Sequence, residues 1–210
     1  MKTGAYTAEA ICRCMGIVSF EHDPACTRAV EAVRLLLKPS FHPEICITFA
    51  DGIVSVASAR GMIWHQYEPA PMLADRSEAV VAQGAFASLL ASMVPATTAP
   101  DAVPGFVIDG MPTELLHFKA GALASKVGGN GGRKGDFSAF IGHALALAWE
   151  LVPSPYCRNA LADAAEYVDR RFPRVPEPPR KPVAETVVLG LEEDRAQLMA
   201  ALRQQDGRSM

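Results

Sequence analysis

The sequence predicts an α+β fold: antiparallel β-hairpins packed against three to four helices, then a Pro-rich linker and a short C-terminal helix. Three observations carry it. Alternating apolar runs stand beside Asp51-Gly52 and Asp109-Gly110, the chemistry of tight hairpin turns. Stretches with a helical apolar period follow each of these hairpins. A dense run of prolines between Phe172 and Pro182 admits neither helix nor central strand.

Taken in order, Ala10 to Phe20 reads as a first strand. Asp23 as N-cap and Pro24 at the first helical position open a helix with Val30, Val33, Leu36 and Leu37 as its stripe, ended by Lys38-Pro39. Ile45, Ile47 and Phe49 alternate with Cys46 and Thr48, Asp51-Gly52 turns the chain, and Ile53 to Ala59 returns. Gly61 to Tyr67 offers a third strand. Asp75 with Glu78 resembles a capping box before the helical face Phe86, Leu89, Leu90 and Met93. Pro95 to Pro104 reads as a loop.

In the second half, Phe106 to Ile108 leads to Asp109-Gly110, then Thr113 to Phe118, a turn at Ala120-Gly121, and Ala122 to Val127. After a glycine-rich connector, Phe137, Phe140, Ile141, Ala144, Leu145, Ala148 and Val152 form one helix face, with Asp136 as N-cap. Leu147, Trp149 and Leu151 lie off that stripe, which places the helix centrally in the core or at a subunit contact. Ser154-Pro155 opens a last long helix carrying Leu161, Ala164, Ala165, Val168 and Phe172. Residues 1–172 thus form an α+β domain, with 95–104 the place for any subdomain boundary. Residues 173–184 form the linker and 185–210 a tail. The halves echo each other as hairpin then helix, but the spacing from Asp-Gly to helix entry is 33 residues in one and 26 in the other. Shared patterning is a plainer account of the echo than duplication.

Half of the 210 residues are hydrophobic, a fifth are charged and the net charge is −3, which excludes general disorder and argues against a dedicated nucleic-acid binder. No apolar run reaches the roughly 18 residues of a membrane span, and Met1 to Ala10 lacks the features of a signal peptide. The expected location is the cytoplasm, where five cysteines stay reduced. Frequent Ala, Arg, Pro and Gly fit a GC-rich bacterial genome.

The glycine stretch from Gly128 to Gly135 is the most distinctive segment. Gly129, Asn130, Gly131 and Gly132 with the cations Arg133 and Lys134 could cradle an anion at a helix N-terminus. The segment satisfies neither the P-loop nor the dinucleotide pattern, and a polar connector is the plainer reading. Cys12-Arg13-Cys14, with His22 and Cys26 nearby, has poor spacing for a tetrahedral metal site, and no metal or cofactor is expected. Cys46 and Cys157 read as small core residues. His22, His42, His65, His117 and His143 form no catalytic pattern, and a Glu-His couple from the strand of His117 alone is not expected, since Glu114 faces the other way. In the tail, Leu191, Leu198, Met199 and Leu202 form a small amphipathic face suited to a groove on this protein or a partner. The absence of catalytic signatures favours a non-enzymatic binding or adaptor protein acting through protein–protein contacts, self-association as a homodimer included. The alternative is an enzyme or sensor that binds a phosphate-bearing small molecule at 128–136.

Overall fold

The computed structural model describes residues 6–63, 74–98, 109–132 and 134–180. The candidate tail residues Leu191, Leu198, Met199 and Leu202, as well as His65 and Arg133, lie outside them. The α+β class holds. Among the described residues six strands form one antiparallel sheet: β1 (Glu31–Leu37), β2 (Ile45–Ala50), β3 (Ile53–Ala59), β4 (Ala74–Val80), β5 (Pro112–Lys119) and β6 (Ala122–Asn130). Their order across the sheet is β4-β3-β2-β1-β5-β6. The hairpins β2–β3 and β5–β6 turn at Asp51-Gly52 and Ala120-Gly121, all four residues at positive φ, as two-residue turns require. Gly121 is obligatory on a second ground, because a Cβ there would stand 2.4 Å from the carbonyl oxygen of Thr27.

Alternation divides the core. Val33, Leu35 and Leu37 of β1 join Ile45, Ile47, Phe49 and Leu115 on one face, beneath α3 (Gln83–Thr98), α4 (Asp136–Leu151) and α5 (Pro155–Glu166). Ala32, Leu36, Cys46, Leu116 and Phe118 line the other, beneath α1 (Ala8–Cys14), α2 (Pro24–Thr27) and the chain between them. Helix α4 packs between α3 and α5. Its surplus apolar residues are thereby used inside the protein: Leu147 is buried, and Trp149 stacks on Phe172 with ring centroids 5.4 Å apart.

Several element assignments change. The segment read as a strand from Ala10 is helix α1, capped by Thr7, whose hydroxyl accepts from Ala10 N at 3.2 Å. Its buried residues Ile11, Cys12, Cys14 and Met15 follow a helical period that a cysteine-rich run disguises. The helix opened by Asp23 and Pro24 ends at Thr27. Val33, Leu36 and Leu37 of its supposed stripe lie in strand β1, which is buried on both faces and, Arg34 apart, apolar from Ala32 to Leu37 instead of alternating. Asp75 and Glu78 belong to strand β4, where Asp75 is buried and accepts from Arg60 Nε at 2.9 Å rather than capping a helix. The loop read from Pro95 starts later, because α3 continues through Pro95 to Thr98. Gly135, at φ 149°, is the N-cap of α4, and Asp136 lies in its first turn.

The proline-rich chain from Phe172 to Arg180 has no helix or strand and runs back along α5. The Asn159 side chain accepts from Val175 N and donates to Val175 O, both at 2.9 Å. The Tyr156 hydroxyl donates to Pro178 O, and Arg180 reaches Asp75 of β4 at 2.9 Å.

Candidate functional site

The two ends of the sheet differ. Strand β4 carries Asp75, Arg76 and Glu78, and alternating charges discourage strand-to-strand association. Strand β6 is nine residues long, largely exposed, and bears one charge, Lys126. Its direction of hydrogen bonding follows from its end. Gly131 N–H donates to Met111 O at 2.9 Å, and Pro112 stands opposite Asn130. In an antiparallel ladder alternate residues address the neighbour, so Gly129, Val127 and Ser125 point their main-chain groups at β5. Lys126, Gly128 and Asn130 therefore present N–H and C=O outward. A register irregularity between His117 and Phe118 places Ala124 as an extra residue in β6, which leaves the regular open stretch at 125–130.

This strand absorbs the start of the glycine stretch. Gly128 has open space where a Cβ would stand, whereas a Cβ on Gly129 would lie 2.7 Å from the Phe137 ring and one on Gly131 2.7 Å from Met111 Cε. Those two glycines let α4 and the Met111 strand end close onto β6. The Asn130 Oδ1 accepts from Met111 N and Gly132 N, both at 3.0 Å. The N–H groups of Gly131 and Gly132, which an anion would need, thus already have partners. Lys134 is exposed.

A second polar locus lies on the α1 face of the sheet. Arg34, Thr48, Ser55 and Glu78 stand opposite one another on β1 to β4 and floor a cavity of about 250 Å³, walled by Gly16 to Val18, Asp23 and Arg76. Arg34 is only 2 % exposed. It ion-pairs with Asp23, donates to Val18 O at 3.0 Å, Ser19 O at 3.3 Å and Cys46 Sγ at 3.4 Å, and lies 5.6 Å from the Phe20 ring centroid. Arg76 donates to Gly16 O, and Ser55 to Glu78 at 3.1 Å. Both cations hold the N-terminal segment to the sheet, and among the described residues no histidine lines the cavity.

Comparison with family models, with characterised proteins and with solved structures gives no match. The chemistry must therefore be read from the side chains alone. All five thiols are buried, and burial pushes Cys26 up to about 12 and Cys157 up to about 11, the opposite of an activated nucleophile. Among the described residues no group of three His, Cys, Asp or Glu could hold a metal ion, and no helix is long and apolar enough to cross a membrane. His117 Nε2 lies 2.9 Å from Glu31 Oε1 on the neighbouring strand β1, so the couple absent within its own strand forms across two. His143 Nδ1 meets Ser92 Oγ at 3.0 Å and His42 Nδ1 meets Tyr167 Oη at 3.2 Å. These contacts join elements in pairs, and the three histidines stand in different places. The open edge of β6 went unread in the sequence. Its signal was the low charge of Ala122 to Asn130, weaker than the glycines that end it.

Proposed function

We propose that the chain is a non-enzymatic binding protein whose contact with a protein partner, a second copy included, is made by strand addition along β6. The observation that carries this reading is the outward row of main-chain groups on Lys126, Gly128 and Asn130, in a nine-residue edge with one charge. An edge that no other described strand covers, with Lys126 its one charge and its bulge confined to one end, is a template for another strand: main-chain hydrogen bonds supply affinity, and alternate side chains supply selectivity. The opposite edge bears the charges that this one lacks.

Gly128→Pro tests it. Proline removes the outward N–H of Gly128 without touching a bond to β5, and an edge strand tolerates it there. Sedimentation of both forms across a concentration series, alongside quantitative pull-downs, should show association by the parent that the variant loses at unchanged thermal midpoint. A parent that stays monomeric and retains nothing that Gly128→Pro does not also retain would refute the proposal.

A further inference from the structure

We infer that the face of α5 beside β4 is a recognition groove for proline-rich segments, filled in this chain by its own residues 172–178 and open to the same kind of segment from a partner protein. Phe172 and Val175 are half-buried, and Pro178, itself exposed, turns its carbonyl to Tyr156, while Pro173, Pro176 and Pro179 are exposed and make no such contact. A spacing of three is the repeat of polyproline II, whose main chain has no internal hydrogen bonds and offers its polar groups to a partner. The groove answers with helical spacing. Tyr156, Asn159 and Asp163 lie along α5, and run antiparallel to the segment they hold: Pro178, Val175 and Arg174 respectively.

Two of these contacts read backbone. Asn159, buried to 7 % exposure, takes both main-chain groups of Val175, and Tyr156 takes the carbonyl of Pro178. Such contacts accept any extended chain of the right pitch. Charge adds selectivity, since Asp163 pairs with Arg174, and Asp75 with Arg180, whose guanidinium also lies 4.5 Å from the Tyr156 ring centroid. The favoured ligand is therefore an apolar residue, proline, cation, apolar residue, proline. At one end Trp149 stacks on Phe172, yet its buried indole N–H has no hydrogen-bond partner. A buried indole N–H usually finds one, so a ligand carrying an acceptor at that point would fit better than the resident chain. The resident segment competes at the high effective concentration of a tethered ligand, which keeps the site closed to weak binders.

The test uses the full chain and a labelled peptide copying residues 171–180. Phe172→Ala with Val175→Pro removes the stacked ring and the N–H donated to Asn159, and so weakens the resident segment. Trypsin cleavage after Arg171 and Arg180 reports its release, and the melting transition reports the fold. Fluorescence anisotropy should show this double variant binding the peptide at least tenfold tighter than the parent, and Asn159→Ala added to it should reverse that gain. Absence of binding by a folded double variant that trypsin cuts readily would overturn the proposal. So would equal affinity in the parent, or binding that Asn159→Ala leaves unchanged. These residues are at the far side of the sheet from β6, so Gly128→Pro leaves peptide binding intact, and the two proposals fail separately.

Discussion

Replacing Arg34 by Met should unclip the N-terminal segment from the sheet. The side chain is 2 % exposed and holds Val18 O, Ser19 O and the Asp23 carboxylate at once. Methionine fills much of the volume, so the apolar packing changes little. The two carbonyls each lose a bond worth about 1 kcal/mol net, and more where water cannot reach them. Asp23, 15 % exposed, loses its cation, and stranding one member of a largely buried pair costs about 3–5 kcal/mol in total. For a chain of this size that corresponds to a fall in Tm of roughly 6–20 °C. Urea unfolding with an unchanged m value is the assay, paired with hydrogen exchange read separately in α1 and α4. Protection in α1 should fall further than in α4, because α1 belongs to the layer that Arg34 secures. Adding Asp23→Asn should recover part of the loss, since the stranded charge goes while the side chain still caps α2 by accepting from Ala25 N. A loss under about 1 kcal/mol, or equal loss of protection in the two helices, would refute the clip.

Three further outcomes follow from the same packing. Gly121→Ala should destabilise by about 1–3 kcal/mol, through its φ of 76° and the Thr27 carbonyl 2.4 Å away, whereas Gly128→Ala should be nearly neutral; chemical denaturation of both variants checks the contrast. Tyr6→Phe should cost about 1.5–3 kcal/mol, because the Tyr6 hydroxyl donates at 2.6 Å to Glu44, a carboxylate wholly removed from water. Reduced and then freed of reductant, the five buried thiols should resist a disulfide reagent at pH 8 until denaturant is added. Because burial raises Cys157 to about 11 and Cys26 to about 12 while unfolded thiols ionise near 9.0, the unfolded state loses protons first, so their contribution is complete below pH 9 and declines as pH rises through 11 to 12. Cys157→Ala should flatten that alkaline decline in the urea midpoint.

What the sequence revealed depended on how far one pattern excluded others. The hairpins around Asp51-Gly52 and Ala120-Gly121 were legible because positive φ leaves few residue choices. Helices α4 and α5 were legible from long apolar periods, and α5 from its Ser154-Pro155 start. Strand β1 was not, since burial on both faces erases the alternation that marks a strand, and its Val33, Leu36 and Leu37 happen to match a helical stripe. Helix α1 spans only seven residues, too short for its period to dominate. Arg34 sat inside that misread run, so its role as a buried clip could not be anticipated. The glycines stand out in the sequence but their purpose does not: closeness of Phe137 to Gly129 and of Met111 to Gly131 is a property of packing, set only once the strand and helix are placed.

The position of β1 also bears on how the chain is made. This strand, at the middle of the sheet, pairs on one side with β2 and on the other with β5, joining positions 37 and 113. A ribosome releases β1 to β4 long before β5 exists. Until then this central, largely buried strand has a free side, and its pairing there closes a long loop, which slows the step. Nascent chains stalled between the fourth and fifth strands should therefore be the ones that aggregate or recruit chaperones, and release should reverse this once residues 112–119 have cleared the exit tunnel.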